Sequence, residues 1–126
     1  MGKRIIREWL DDDGGGVATK WIAKQFTGNR DRGKIESRFS SIEACEDDNP
    51  SWVKRYKSLK MIEIRVDYDS KAIRFLCEEI GNALIILDGC VKRGKIPQAV
   101  EDRAVRRREA LEKDQSNVRN YPLESR

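Results

Sequence analysis

The sequence predicts an α+β fold, in which an antiparallel β-sheet meander is covered on one face by an N-terminal helix pair and a C-terminal helix. Three observations predict it. Apolar residues recur at helical spacing in the first half of the chain and again near its end. Between these regions lie three stretches with the alternation or the continuous apolar character of strands. Their connections are too short for a crossover helix, so neighbouring strands should run antiparallel.

The first half of the chain contains one ambiguous element followed by two predicted helices. Residues 3–10 fit a strand or a short helix equally well. The run DDDGGG at 11–16 is the clearest breaker in the chain and predicts a loop. Residues 17–26 and about 31–46 carry apolar side chains three and four positions apart, which predicts two amphipathic helices. The segment 47–50 should stop the second helix, since proline disfavours helix at the residue before it.

The middle of the chain predicts three strands. Residues 59–66 end in period-two alternation with β-branched side chains, and residues 72–77 form a second apolar stretch. The continuous apolar run 83–87, extended by 88–91, is typical of a strand at the centre of a sheet.

The chain after the strands predicts one helix and a tail. Pro97 suits a helix start, and Gln98–Lys113 carries apolar residues at helical spacing together with several arginines. Residues 114–126 are polar and are expected to fray. The length therefore predicts a single domain over residues 1–113, followed by a polar C-terminal tail.

The composition restricts the chemistry. The 126 residues include no histidine, which excludes a Ser-His-Asp triad, a Cys-His pair and histidine-ligated zinc. Three scattered cysteines, Cys45, Cys77 and Cys90, are too few for an all-cysteine zinc site within the chain. No metal and no cofactor are therefore expected. Catalysis would use Lys, Arg, Glu, Asp or Tyr, and such groups suit reactions of phosphate esters.

The compartment can also be predicted. No apolar run approaches the roughly 20 residues of a membrane span, and the start of the chain does not resemble a secretory signal. An odd number of cysteines without a Cys-x-x-Cys pair suggests reduced thiols. These observations predict a cytoplasmic protein without a membrane partner.

The charge is unevenly distributed along the chain. Between Trp52 and Arg108 there are 14 Lys and Arg against 8 Asp and Glu, whereas the remainder has 12 against 14. The basic part is also the part that contains the predicted sheet. A basic sheet face attracts phosphate backbones, which predicts a nucleic-acid partner. The alternative is that these charges simply solvate strand and helix surfaces.

Two neighbouring strands carry candidate functional residues. If the isoleucines and the valine of residues 62–66 point into the core, Glu63 and Arg65 share the opposite face of the strand. They would form either an exposed ion pair of little energetic value or a phosphate-binding arginine beside a proton-accepting carboxylate. Arg74 lies in the next strand. Two guanidinium groups could hold one phosphate if Arg74 shares the face of Arg65.

A third candidate follows the central strand. Lys92, Arg93 and Lys95 surround Gly94 at the strand end, where three cations are close to a flexible backbone. The same residues also suit a plain solvated turn.

Four segments in the second half carry a resemblance to a known family. In order, they are LKMIEIRV at 59–66, IRFL at 73–76, ALIILDGCVKR at 83–93 and KIP at 95–97, and a basic helix follows them. Their order and spacing resemble the phage-derived branch of the RelE/HigB toxin superfamily over roughly residues 56–111. The preceding helix pair also fits the order of elements in that family.

The resemblance implies a RelE-like fold and the toxin of a type II toxin–antitoxin system. Such toxins are mRNA endoribonucleases that often act on the ribosome, and a small antitoxin protein inhibits them by covering the basic face. Cleavage uses the ribose 2′-OH as the nucleophile on its own 3′-phosphate and requires no metal. Cations stabilise the charge that develops on the phosphoryl oxygens.

Carried over by position, the resemblance also implies the site. The implied catalytic residues are Glu63, Arg65, Arg74, Lys92 and Arg93. The neighbouring cations expected to bind RNA are Lys57, Lys60, Lys95, Arg103, Arg106 and Arg107. Because histidine is absent, a lysine with a lowered pKa would have to carry a proton.

The sequence departs from the family pattern at several positions. Ile73 replaces an aromatic residue, and the segment 88–90 (DGC) stands where the branch has a histidine and an aromatic. The C-terminal helix has no tyrosine to stack on a base. Two alternatives therefore remain open: a catalytically inactive RelE-fold module of phage or mobile-element origin that binds nucleic acid or protein, and a ParE-like inhibitor of gyrase.

Overall fold

The structure, a computed structural model, describes residues 3–46 and 50–123. Within these residues the chain forms six strands and three helices. They follow in the order β1 (Ile5–Trp9), α1 (Val17–Gln25), α2 (Asn29–Ala44), β2 (Val53–Tyr56), β3 (Met61–Tyr68), β4 (Lys71–Ile80), β5 (Ala83–Val91), α3 (Gln98–Lys113) and β6 (Val118–Asn120). The predicted mixture of helices and strands is confirmed. The predicted helix-stopping segment 47–49 and the last three residues of the predicted tail lie outside the described residues.

The strands form one sheet in the order β2-β3-β4-β5-β1-β6. The predicted antiparallel meander of β3, β4 and β5 is confirmed. The ambiguous first element is a strand, and it runs parallel to β5, so the prediction of a fully antiparallel sheet is wrong. A parallel pair requires a long connection between its strands, and everything from α1 to β4 supplies that connection here.

The helices cover both faces of the sheet, whereas the sequence predicted helices on one face. One core joins α1 and α2 to the sheet through residues such as Ile22, Phe39 and Phe75. A second core joins α3 to the opposite face, with Leu76 and Ala104 among its members. The difference arises because β4 and β5 bury side chains of both parities, and such strands need an apolar layer on each face.

The segment after α3 is ordered as far as Leu123, and over these residues the prediction that the tail frays is wrong. Residues of β6 pair antiparallel with β1, and the Tyr121 backbone N–H donates to the Ile6 carbonyl at 3.0 Å. Tyr121 and Leu123 are buried in the core beneath α1 and α2. The Tyr121 hydroxyl also donates to Glu36 at 2.8 Å. A few apolar residues in a polar segment are enough to hold it against the sheet.

Two tight turns fix the register of the meander. Asp69 and Ser70 connect β3 to β4, and both have positive φ, as a type I′ hairpin turn requires. Gly81 begins the loop between β4 and β5 with φ +60°, which suits glycine because it has no Cβ. These turns determine which residues of neighbouring strands face one another.

A buried carboxylate joins β1, α1 and β6. Glu8 accepts hydrogen bonds from the Thr19 backbone N–H at 2.8 Å and from the Thr19 hydroxyl at 2.7 Å. Arg119 of β6 donates to the same carboxylate at 3.0 Å and also to the Thr19 hydroxyl at 3.1 Å. A Cβ added to Gly16 would lie 2.1 Å from the Glu8 carboxyl carbon, so the chain approaches too closely there for a side chain. We call Glu8, Thr19 and Arg119 the Glu8 cluster.

Candidate functional site

A set of charged residues lies on the face of the sheet that carries α3, beside the apolar core beneath that helix. We call these residues the arginine patch. Its members are Glu63, Arg65 and Asp67 of β3, Arg74 of β4, Asp88 of β5, and Arg103 and Arg107 of α3. Four arginines therefore meet three carboxylates, which leaves one positive charge in excess.

Alternation along β3 and β4 places the first members of the patch on one face. Ile64 of β3 and Phe75 of β4 point into the core beneath α1 and α2, so their neighbours face the opposite way. Arg65 and Arg74 are direct cross-strand partners. The two arginines therefore share a face, which meets the condition under which they could hold one phosphate together.

Glu63 lies between the two arginines. Arg65 Nε donates to Glu63 Oε1 at 2.7 Å, and Arg74 Nε lies 3.9 Å from the same oxygen. The Glu63 side chain is only 4% exposed, whereas that of Arg65 is 38% exposed. The Glu63 carboxylate is therefore buried beside the two arginines, whereas Arg65 is partly open to solvent.

Arg74 is buried without full satisfaction of its donors. Its side chain is 7% exposed, and its Nη1 donates to Asp67 and to the Ile73 carbonyl. Its Nε has no hydrogen-bond acceptor within the described residues. A buried donor without an acceptor is costly, and such groups are frequent at sites that bind a ligand.

Asp88 enters the patch through an irregularity in the sheet. The register between β4 and β5 shifts at Leu76 and Cys77, and as a result Asp88 pairs with Leu76 on the α3 face. Asp88 Oδ2 accepts from Arg103 Nε at 2.8 Å, and Asp88 Oδ1 lies 3.4 Å from Arg107 Nη1. The bulge thus turns a strand carboxylate toward two arginines of the helix.

Cys90 lies among charged residues of the patch, close to Glu63 and Arg74 and also to Asp88. It pairs with Arg74 in the sheet register and is buried. Burial, with Asp88 and Glu63 nearby, raises the pKa of the Cys90 thiol to about 11, although Arg74 and Lys92 act in the opposite direction. A thiol with such a pKa stays protonated at neutral pH and is a poor nucleophile.

The predicted cations after β5 lie next to the patch or beyond it. Lys92 follows Cys90 by two residues, so strand alternation places it on the same face, and its backbone N–H donates to the Ala72 carbonyl at 2.7 Å. Arg93 and Lys95 are exposed and form an isolated bridge around Gly94, whose φ is +81°. The structure therefore brings Lys92 to the patch, and it places Arg93 and Lys95 in the adjoining turn.

The other predicted RNA-binding residues divide into three groups. Arg103 and Arg107 belong to the patch. Arg106 is exposed and borders a small cavity that also contains Trp9 and the start of the Asp/Gly loop. Lys57 and Lys60 are exposed in the turn between β2 and β3, just before β3 begins.

Sequence reasoning missed three features of this region. Asp67 was not singled out, and Asp88 was treated only as a departure from the family pattern, although both bind arginines of the patch. A charge within the apolar run 83–91 was the available signal for Asp88. The third missed feature is a cavity beside α2, which is lined in part by Lys34 and Arg38.

The chain matches no protein-family model, and no curated protein or solved structure shows significant similarity to it. The resemblance to RelE/HigB toxins therefore stays a prediction from the residues of the second half. Across residues 3–46 and 50–123, no helix is both long enough and apolar enough to cross a membrane. The same described part of the chain has no group of three or more metal-ligating side chains placed to hold a metal ion.

Proposed function

We propose that the protein is an endoribonuclease toxin of the RelE/HigB type, which cleaves mRNA at the arginine patch and is inhibited by a small antitoxin protein. The observation that carries this proposal is the cross-strand pair Arg65 and Arg74 with Glu63 between them. Two guanidinium groups suit a phosphate, because each presents a planar fork of N–H donors. A carboxylate beside a bound phosphate provides a base where the 2′-OH must lose its proton.

The reaction we propose is a transesterification within the RNA. The ribose 2′-oxygen attacks the adjacent 3′-phosphorus, and its proton passes to the Glu63 carboxylate. The bond from phosphorus to the 5′-oxygen breaks, and Lys92 donates a proton to that oxygen. The products are a 2′,3′-cyclic phosphate and a 5′-hydroxyl end. Arg65 and Arg74 stabilise the charge on the phosphoryl oxygens, and loss of one such donor typically costs about 10²–10³-fold in rate.

The surroundings of the patch suit a longer RNA. The exposed cations in the two turns, Lys57, Lys60, Arg93 and Lys95, lie at opposite ends of the strands that carry the patch. They would bind backbone phosphates on either side of the scissile one, and this kind of contact is independent of base sequence. In this proposal the substrate is mRNA, including mRNA held on the ribosome.

One observation favours a second candidate, an RNA-binding module that does not cleave. Each arginine of the patch has a carboxylate partner in the free protein. An arginine already paired with a carboxylate binds a phosphate less strongly, because the phosphate must compete with that carboxylate. RNA binding without chain cleavage would identify this second candidate.

The proposal can be tested with purified protein and a short RNA that carries a label at its 5′ end. We expect cleavage with a 2′,3′-cyclic phosphate product, and we expect Arg65→Ala to lower its rate by about 10²–10³-fold. The double variant Arg65→Ala, Arg74→Ala should show no cleavage. A matched control, Lys24→Ala, Arg55→Ala, also removes two positive charges, both of them exposed, on α1 and on the opposite face of β2.

The same four proteins should then be induced in a bacterial host, with mRNA 5′ ends mapped by primer extension. Growth arrest with new 5′ ends, both lost in the arginine variants and kept in the control, would support the proposal. Unchanged mRNA, with variants that unfold in urea like the wild type, would overturn it. DNA-damage signalling without mRNA loss would instead identify a gyrase inhibitor.

A further inference from the structure

A cavity of about 390 Å³ lies at the edge of β3, on the α2 side of the sheet, whereas the arginine patch lies on the α3 side. It opens between α2 and the end of β3, and its polar lining differs from the apolar cores. The lining residues are Lys34, Ser37, Arg38 and Ser41 of α2, Trp52 before β2, and residues 66–68 of β3. The cavity thus combines two cations with one carboxylate, Asp67, two small hydroxyl side chains and two aromatic rings.

Arg38 is the central feature of this cavity. Its guanidinium carbon lies 4.7 Å from the centroid of the Trp52 ring, in a cation–π contact. Within the described residues it has neither an ion pair nor a hydrogen bond, although eight other arginines have carboxylate partners there. Stacking fixes the plane of the guanidinium and leaves its five N–H donors for a ligand.

Burial affects the pKa of Arg38, although its guanidinium stays charged. Desolvation lowers its pKa from the ordinary arginine value, and only the nearby Asp67 carboxylate opposes that shift. A guanidinium stays protonated in proteins, so a partly buried positive charge lies in the cavity without a bonded anion among residues 3–46 and 50–123. An anionic ligand would supply the missing partner, and the Ser37 and Ser41 hydroxyls could donate further hydrogen bonds.

The cavity and the arginine patch have one residue in common, Asp67. Asp67 lines the cavity and also binds Arg74 of the patch. The pairing of β2 with β3 ends near this point, where the Arg65 N–H donates to the Trp52 carbonyl at 2.8 Å. Beyond it, the end of β3 forms an edge that β2 does not cover. A single strand of nucleic acid can therefore pass from the patch over this edge to the cavity.

We infer that this cavity is a second phosphate-binding site for the RNA strand that occupies the arginine patch, an inference that rests on the proposed function. Arg38 and Lys34 bind one backbone phosphate several nucleotides from the scissile bond. The ligand is a phosphodiester of single-stranded RNA. Phosphate contacts of this kind position a strand without reading its sequence.

The test is RNA binding as a function of strand length. Labelled 2′-O-methyl oligonucleotides, which lack the attacking hydroxyl, would be titrated with protein and followed by fluorescence anisotropy, for lengths from two to about eight nucleotides. The variants are Arg38→Gln and Lys34→Gln, and the control is Arg55→Gln, an exposed residue on the same face of the sheet. Urea unfolding checks that each variant is folded, and Lys34, which is exposed, provides a variant that should not disturb the core.

We expect Arg38→Gln to raise the Kd for the longest strands by about threefold to tenfold and to lower the salt dependence by about one phosphate contact. The effect should shrink toward none as the strand is shortened, and Arg55→Gln should show no such effect. RNA binding that requires Arg65 and Arg74 but is unaffected by both cavity variants would overturn this inference and leave the proposed function standing. No RNA binding by the wild type would overturn both. Displacement of RNA from the cavity by polyglutamate at equal charge would identify an acidic protein partner instead and overturn the assignment to RNA.

Discussion

The Glu8 cluster and the arginine patch use the same chemical groups on the same sheet, but they satisfy them differently. Glu8 is 0% exposed, and each of its oxygens accepts hydrogen bonds from a donor that lies within reach. In the patch, by contrast, Arg74 Nε is buried without an acceptor in the described part of the chain, and Arg65 is partly open to solvent. The Glu8 cluster also joins three elements. Within the patch, Glu63, Arg65, Asp67 and Arg74 join only β3 and β4, which already pair through their backbones.

The comparison indicates how to distinguish a structural charge cluster from a functional one. A carboxylate whose partners are complete holds elements together and has no capacity left for a ligand. A cluster with an unsatisfied donor and a partly exposed cation has that capacity. Three experiments test this distinction.

The largest expected effect is on stability, through Glu8. Replacement of Glu8 by alanine leaves the Thr19 N–H and Arg119 without their buried acceptor, and we expect the free energy of unfolding to fall by about 3–5 kcal/mol. The matched variant Arg65→Ala removes a partly exposed arginine from the buried Glu63 carboxylate, which keeps Arg74 Nε at 3.9 Å, and should cost less, about 1–3 kcal/mol. Urea unfolding at neutral pH measures both. An equal fall in the free energy of unfolding for the two variants would show that both clusters contribute alike to stability, and it would contradict the distinction.

A smaller effect is expected from Asp67, which is the exposed carboxylate of the patch. Its side chain is 59% exposed and binds the buried Arg74, so we expect a phosphate to displace it. Asp67→Asn should tighten RNA binding by about threefold at low salt, because it removes a competing anion. Asp12→Asn in the exposed Asp/Gly loop changes the net charge equally and serves as the control. Anisotropy titrations with 2′-O-methyl RNA would measure the change, and equal affinities for the two variants would contradict the prediction.

The smallest expected effect is on the pH dependence of stability. It involves Tyr121, near the Glu8 cluster, and Tyr56, near the arginine patch. Burial, followed by the hydrogen bond to Glu36, raises the pKa of Tyr121 well above its usual value. Burial, followed by the hydrogen bond to Glu101, raises the pKa of Tyr56 to about 12 from 10.0. A raised pKa in the folded state stabilises the protein fully below pH 10, and this contribution is lost as the pH rises from about 10 to 12.

The alkaline loss can be assigned with two variants. Urea midpoints at pH 8, 10 and 11 should fall as the pH rises in the wild type. Tyr121→Phe should flatten this pH dependence more than Tyr56→Phe, since Tyr121 is buried and Tyr56 is only partly so. A pH dependence that neither variant changes would show that other groups, such as lysines, dominate it.

The spacing of apolar residues within a segment predicted those helices and strands that form from their own side-chain pattern. The helix Gln98–Lys113 has its predicted bounds, and the three strands of the meander begin and end within a few residues of their predicted limits. The parallel pairing of β1 with β5, the short strand β6 and the placement of α3 on the opposite face depend on contacts between distant parts of the chain. No periodicity within a segment records such contacts.

The same division applies to the candidate site. Alternation around Ile64 was enough to predict that Glu63 and Arg65 share a face. The engagement of Asp88 with Arg103 depends on a β-bulge, and the binding of Arg74 by Asp67 depends on the hairpin register. The Arg38 cavity requires α2 and Trp52 to meet in space. Sequence can nominate charged residues, but packing decides which of them remain available to a ligand.

The position of β1 between β5 and β6 also has a consequence for the order of events during synthesis. Ile5 is among the first described residues to leave the ribosome, yet it pairs with Ala83, and Arg7 pairs with Asn120. The strand must wait unpaired while most of the chain is translated, because its partners β5 and β6 come late in the sequence. The nascent chain can therefore present its basic strands and α3 before the sheet beneath them is complete. The complete sheet should then form only after the last strand has been made, when translation of the described chain is nearly finished.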